Sequence, residues 1–393
     1  MFKIYLKILR MLKAITQGIF LILLNPKLIK KKYVIYLFSS RFGHFLQNTE
    51  VFLRNKIKKK ECIFIKEDKV DNIQLLKLWS KKIDISPIVV GDFLRFFLRK
   101  NVIHLRTITV PQDKNFLKTR FIKKIPLEPK KEIINKFKKN DYITFSLRDS
   151  SYNQKIHHNG LRDNFRDSNI DDFKKIIISS NIKKKNIFIK VNNSFKKTKI
   201  KNFYDYGFDK SYDLETALYL IKNSKYHIGS NTAIDTYAAL IDQKVLLFNT
   251  MLGTSFPTRL YTSPSLFVPL NIFYKKNKRL VPLSKQIELL QHCEKKFNSS
   301  DLTKDALNYF GIFIKSNSTD EMMNIFKEFK KLIKRSFLLN KKEKKIQESF
   351  WNIYPTKWYK IDKGQKIIFN SPNFRGNLIL SSYYVSKYKN FLT

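Results

Sequence analysis

The chain has 393 residues, 43% hydrophobic and 14% aromatic, which is too long for most single cores and fits two domains of ordinary size. Lysine and arginine number 77 against 32 aspartates and glutamates, a formal net charge of +45, while a mean hydropathy of -0.34 argues against a chain built from membrane spans. Two distant cysteines, Cys62 and Cys293, suggest neither a disulfide framework nor a cysteine-rich metal site and fit a reducing compartment.

The charge has two readings. It invites a nucleic-acid partner, but the scarcity of glycine (10) and proline (11) beside abundant Lys, Asn, Ile and Phe also fits drift toward A/T-rich codons. The basic runs, such as Lys30 to Lys32, Lys58 to Lys60 and Lys183 to Lys185, are scattered and compose no zinc finger, basic zipper or RNA-recognition signature. Nucleic acid is therefore not the expected partner. The runs are either solvated faces or contacts with anionic lipid or phosphate.

Residues 1–32 form the first expected segment, a basic and apolar helix carrying Lys3, Lys7, Arg10 and Lys13 and ending in "IFLILLNPK". Its apolar run is far shorter than the roughly 20 residues a span needs, and no small-residue cleavage site follows. It either lies in the headgroup region of an anionic leaflet or packs on the first domain.

From Tyr33 the chain alternates β-rich and helical stretches, the pattern of a parallel sheet covered by helices. "YVIYLF" (33–38), "CIFI" (62–65), "SPIVV" (86–90) and "VIHL" (102–105) read as strands, with helices near 45–57, 71–80 and 91–99. A basic passage with Pro111, Pro126 and Pro129 then marks a domain boundary. The alternation restarts with strands at 142–147, 186–191, 225–230, 244–249 and 265–270 and helices near 130–139, 169–180, 213–223 and 232–241. Ser168 with Asp171, and Asp213 ahead of "LETALYLIKN", have the spacing of helix caps. Beyond Leu280 the text turns helical, and Ser318 with Glu321 matches a capping box. The expected architecture is α/β: two doubly wound, Rossmann-like domains, 33–125 and 126–280, with a helical C-terminal extension over 281–393.

Ligands of open α/β sheets bind beyond the carboxyl ends of strands, so the strand-to-helix connections are the places to look. After "KYHI", Gly229-Ser230-Asn231-Thr232 lets the backbone approach closely and opens a helix whose free N–H groups suit a phosphate. The same stretch is equally a plain helix cap, because Thr232 and Asp235 have capping-box spacing. "FSLRDSSY" delivers Arg148 and Asp149 into a loop that also carries His157, His158, Arg162 and Arg166. Three arginines on one connection favour binding of an anion, which guanidinium forks recognise, over surface pairing of Arg148 with Asp149. In the first domain Gly43 permits a tight turn after the first strand, and His44 would stand at the top of the sheet as a general base or as an exposed, structural histidine. Glu50 or Asp92 could equally supply a base. Walker A, GxGxxG, HExxH, GxSxG and paired CxxC motifs do not occur.

Taken in order, "RFGH" after the first strand, "LRDSSYN" and "FRDSNIDDF", "FYDYGFDKSYDLETALYLIKNSKYHIGSNTAIDTYAAL" and "VLLFN" resemble a family of bacterial glycosyltransferases associated with cell-surface polysaccharide genes. The resemblance covers roughly residues 33 to 270, and more loosely the tail "NLILSSYYVSKYKNFL". It implies a GT-B-like fold, two domains facing a cleft, and metal-independent transfer of a sugar from a nucleotide-sugar donor to a glycan or lipid-linked acceptor. By the same resemblance Arg148, Asp149, Gly229, Ser230, Asn231 and Asn249 match the donor side, with Arg166, Lys190 and Thr232 beside them. Arg41, Gly43 and Glu50 would face the acceptor, and His44 would be the base. The chain departs from the family in "IFIKVNNSF", where an Arg and a Gly are expected near Lys190 and Asn192. No cofactor is implied, and the expected location is the cytoplasm, peripheral on the inner face of the membrane. The alternative is a non-catalytic basic protein of a membrane surface or of nucleic acid.

Overall fold

The computed structural model describes residues 2–24, 26–28, 30–54, 59–96, 100–105, 121–147, 168, 170–181, 187–191, 200, 203–230, 232–253, 264–297, 302–355, 357–362, 365–370 and 378–393. The chain divides into two compact units, the first reaching to Leu127 and the second running from Glu128 to Thr393.

The first unit begins with helix α1 (Phe2–Leu24) and continues β1 (Tyr33–Tyr36), α2 (Phe42–Arg54), β2 (Cys62–Ile65), α3 (Ile73–Ser80), β3 (Ile85–Ser86), α4 (Ile88–Phe96) and β4 (Asn101–His104). The four strands are parallel in the order β3-β2-β1-β4, so the order reverses between β1 and β4. Runs such as "CIFI" carry apolar residues at every position because both faces of a parallel strand are covered, and β2 is buried throughout. Val34, Ile63 and Ile65 meet Val90 and Leu94 of α4 in one core. "SPIVV" divides where a strand was expected: Ser86 ends β3 and Ile88 opens α4. Four apolar residues have no period of their own, and Pro87, which cannot donate to a ladder, sits well just ahead of a helix.

Burial of Cys62 pushes its thiol up to about 11, with Lys31 opposing and Glu61 adding to the shift. The thiolate is the reacting species, so at pH 8 alkylation of Cys62 in the folded chain is expected to run at least about 100-fold slower than for an exposed cysteine. Mass spectrometry after timed iodoacetamide treatment measures this; comparable rates in native and urea-unfolded chain would contradict it. Both cysteines are buried, and neither is in a disulfide.

The second unit runs α5 (Lys131–Ile134), β5 (Tyr142–Ser146), α6 (Ile170–Asn181), β6 (Ile187–Lys190), β7 (Phe203–Asp205), α7 (Leu214–Asn223), β8 (His227–Gly229), α8 (Ala233–Leu240), β9 (Val245–Thr250), β10 (Ser265–Pro269) and β11 (Asn271–Tyr274). It continues α9 (Leu283–Phe297), α10 (Lys304–Tyr309), β12 (Ile312–Lys315), α11 (Thr319–Lys334), α12 (Lys341–Ile353), β13 (Lys357–Asp362), β14 (Gln365–Asn370), β15 (Leu378–Leu380) and α13 (Ser382–Lys387). Seven parallel strands stand in the order β15-β10-β9-β8-β5-β6-β7. The chain builds outward from β5 through β6 to β7, returns to β8, and builds the other way, which is the order of a dinucleotide-type doubly wound sheet. Because parallel crossovers are right-handed, this reversal sends successive helices to opposite faces.

The last third is not a separate helical extension. Strand β15 joins β10 at the edge of the main sheet, β12 pairs antiparallel with β11, and β13 with β14. The short apolar text of these strands lies between long periodic helices, which is why the region reads as helical in sequence. Local caps behave as their spacing requires: Asp213 caps α7 through Thr216 N at 2.8 Å, and Ser318 with Glu321 closes the capping box of α11.

Candidate functional site

At the carboxyl edge of the seven-stranded sheet, Ser146 of β5 pairs in register with Gly229 of β8, on the two sides of the strand-order reversal. Ser230 N donates back to Ser146 O at 3.1 Å, and Thr232 caps α8. The capping box is complete, with Thr232 N donating to Asp235 Oδ2 at 2.6 Å. Asp235 does more than cap, because its carboxylate also accepts from Thr232 Oγ1 at 2.8 Å, from His227 Nε2 at 3.0 Å and from the Ser146 hydroxyl. On the far side of the ring, Nδ1 meets Thr144 Oγ1 at 2.9 Å, and that hydroxyl meets Ser224 at 3.1 Å. His227 therefore bridges strand β5 to the helix cap.

This cluster contains a serine, a histidine and an aspartate, but it is not a nucleophile relay. Ser146 and Asp235 both meet the same nitrogen of His227, and all three residues are 0% exposed, whereas a relay places acid and nucleophile on opposite nitrogens and leaves the nucleophile accessible. Its work is to tie the end of β8 to Thr232 at the start of α8. Gly229 is needed for the same reason: a Cβ there would run into the Asp235 carboxylate.

Other expected donor-side residues reach this edge with their side chains already engaged. Lys190 ends β6 beside β5, is 4% exposed, and pairs with Asp205 of β7 at 3.8 Å. Asn249, near the end of β9, is 1% exposed and adopts a left-handed φ of 51°, a conformation asparagine tolerates better than most residues. It forms a reciprocal pair with Asn317: Asn317 N donates to Asn249 Oδ1 at 2.9 Å and Asn249 N to Asn317 Oδ1 at 3.2 Å. Its Nδ2 donates to Ser168 Oγ at 3.1 Å. Asn249 thus joins β9 to the segment that opens α11. Arg148, Asp149, Arg166 and Asn231 lie outside the described residues.

In the first unit the β1–α2 connection is held by two acids from the segment after β2. Ser40 N donates to Glu67 Oε2 at 2.7 Å and Phe42 N to Asp71 Oδ2 at 2.9 Å, while Glu67 N donates to Ser39 Oγ at 3.0 Å. Arg41, Gly43 and His44 therefore sit at the carboxyl edge of the four-stranded sheet. Gly43 falls inside the first turn of α2 and takes no left-handed φ, so it does not make the tight turn expected of it. His44 is exposed and stacks on Phe38 with ring centroids 4.9 Å apart.

Glu50 does not face this edge. It is 0% exposed, accepts from Arg54 Nε at 2.8 Å, and takes Phe121 N and Ile122 N at 2.9 and 2.8 Å. The acceptor-side expectation for Glu50 is corrected accordingly, since the carboxylate is occupied by a buried ion pair and two backbone amides. Asp92 is likewise buried, accepting from Tyr36 Oη at 3.4 Å. A residue that sequence reasoning passed over is His104, the last of β4, paired in register with Tyr36 across the strand-order reversal and stacked on it at 4.8 Å. Burial, and then Arg95, hold its ring below the usual histidine range. A polar ring closing an apolar strand in "VIHL" was its one signal.

No protein-family model matches this chain, and no curated protein matches it. Solved structures similar to it include a bacterial iron-containing dodecameric glycosyltransferase TibC from enterotoxigenic E. coli H10407 and a dodecameric iron-containing heptosyltransferase TibC in complex with ADP-D-beta-D-heptose. The first is 10% identical with a TM-score of 0.36 and the second 11% identical with a TM-score of 0.35. In each case 58% of this chain is covered, and the chain spans 60% of the length of those structures.

Proposed function

We propose that this chain is a glycosyltransferase that moves a sugar from a nucleotide-sugar donor to a glycan or lipid-linked acceptor, with the two units as the halves of a GT-B-type enzyme. The observation that carries the reading is the strand-order reversal between β5 and β8, where the Gly229-Thr232 turn opens a helix within a parallel sheet of dinucleotide type. The reversal between β1 and β4 in the first unit supports it.

On this reading the donor diphosphate is received by the Ser230-Asn231-Thr232 turn and by Arg148 and Arg166, with Asp149 and Lys190 beside them. As the bond from the anomeric carbon to the diphosphate breaks, the guanidinium groups and the N-terminal end of α8 take up the charge left on the phosphate, each worth about 3 kcal/mol in the transition state, while Ser230 N and Thr232 N stay engaged by Ser146 O and Asp235 Oδ2. The acceptor hydroxyl attacks the anomeric carbon and gives its proton to His44, with Arg41 and Gly43 on the acceptor side. The donor fixes its own charge against side chains and the helix end, so no metal ion is required.

The test is thermal unfolding of the full chain with UDP-, GDP-, CMP- and ADP-sugars. One of them is expected to stabilise the chain, by about 2.7 kcal/mol at a hundredfold excess over its Kd. Arg148→Ala should abolish that gain and lower turnover while leaving the unliganded midpoint in place. An equal loss of midpoint without ligand identifies a structural arginine, and no response to any of the four donors overturns the assignment.

A further inference from the structure

We propose that α1 lies on the surface of an anionic lipid bilayer, its outward apolar stripe at the acyl boundary and its lysines on the lipid phosphates. The proposal is independent of the sugar-transfer reading. It starts from how α1 is held. The helix packs on α4, where Gly18 allows the approach, since a Cβ at that position would stand 2.6 Å from Phe93. Just after the helix, Leu28 enters the core with Val34 and Ile63. One face of α1 is thus fixed against the protein, and this decides which face points out.

The face that points out is apolar. Tyr5, Ile8, Leu12, Ile19 and Leu23 are all exposed, Leu23 at 73%, and their spacing of three, four, seven and four residues keeps them on one side of an α-helix. Among the described residues, eight of the thirteen large hydrophobic side chains that stand exposed belong to this helix. Single exposed hydrophobics need no explanation, but a continuous stripe marks a surface that something covers.

Charge selects the cover. The sequence of α1 contains four basic residues and no acidic one, and Lys13 within the helix and Lys27 and Lys30 just after it are exposed. A second copy of the chain would bring the same positive charge against itself, whereas an anionic leaflet offers negative phosphates beside hydrocarbon, and lysine stems reach from one to the other. Crossing the bilayer is not the geometry, because no helix among the described residues is long and apolar enough to span it. A helix with one apolar face and a basic flank lies in the interface plane.

The experiment is flotation of the full chain with vesicles of phosphatidylcholine alone or with about one-third phosphatidylglycerol, at roughly 0.1 and 0.5 M salt. The chain is expected to float with the anionic vesicles and to be released at the higher salt. Leu12→Glu with Phe20→Glu, and separately Lys13→Glu with Lys27→Glu and Lys30→Glu, should each weaken binding at least about tenfold. All five positions are exposed, and an unchanged unfolding midpoint verifies that each variant folds. Three results overturn the proposal. Absence of vesicle binding is one, and equal binding to neutral and anionic vesicles is another. The third is binding unaffected by Leu12→Glu with Phe20→Glu, which would leave the scattered lysines as the cause. Self-association in sedimentation that disappears with the same pair of substitutions, without vesicle binding, would assign the stripe to a second copy instead.

Discussion

Replacing Glu50 with alanine is expected to destabilise the first unit by about 3 to 5 kcal/mol, the usual effect of removing one partner from a buried ion pair. Two consequences add up at this position. The Arg54 guanidinium, whose side chain is 0% exposed, loses the carboxylate that meets its Nε at 2.8 Å. The backbone N–H groups of Phe121 and Ile122 lose their acceptor as well, and a buried amide without an acceptor carries its own desolvation penalty. Glu50→Gln keeps an acceptor oxygen and removes the charge, so it should fall between the alanine variant and the parent. Urea unfolding followed by tryptophan fluorescence measures the change as a shifted midpoint at constant slope. A Glu50→Ala variant of parental stability that lost only turnover would restore the residue to the acceptor side.

The second large effect is expected at Gly229, and it carries an internal control. Alanine there puts a methyl group into the space of the Asp235 carboxylate, which cannot retreat because Thr232, His227 and Ser146 hold it. The expected loss is about 2 to 3 kcal/mol, in the range of overpacking in a closed core. Asp235→Ala alone should cost about 3 kcal/mol, since it strips the acceptor from four donors, two of them on the fully buried His227 and Ser146. The double variant should cost clearly less than the sum, because removing the carboxylate empties the space the new methyl needs. Strict additivity in unfolding free energy would show that the crowding at Gly229 has another source. Either outcome bears on the turn that the donor reading depends on, because the network ties the end of β8 to Thr232 at the start of α8.

Much of the architecture is legible in the chain because its signals are local. Fully apolar runs such as "CIFI" and "VLLF" mark strands covered on both faces, and alternation with periodic helical text marks parallel crossovers. Capping boxes at Thr232 with Asp235 and at Ser318 with Glu321 are legible for the same reason, since a three-residue spacing settles them. "SPIVV" failed that way of reading because a run so short has no period, and Pro87 decided for the helix.

What the sequence by itself determined, then, are most strands and helices between residues 33 and 270 and the caps with three-residue spacing, each set by backbone geometry over a few residues. The tertiary structure decided which of those ends meet: Ser146 with Asp235 at a separation of 89 residues, Glu50 with Ile122 at 72, and Asn249 with Asn317 at 68. Those pairings follow from strand order, and strand order emerges only when many apolar runs bury their faces together, a cooperative choice that no single segment encodes. The outward face of α1 belongs to the same class, because its apolar residues cover most of the helix and only the contact of Gly18 with Phe93 settles which of them turn away from the protein.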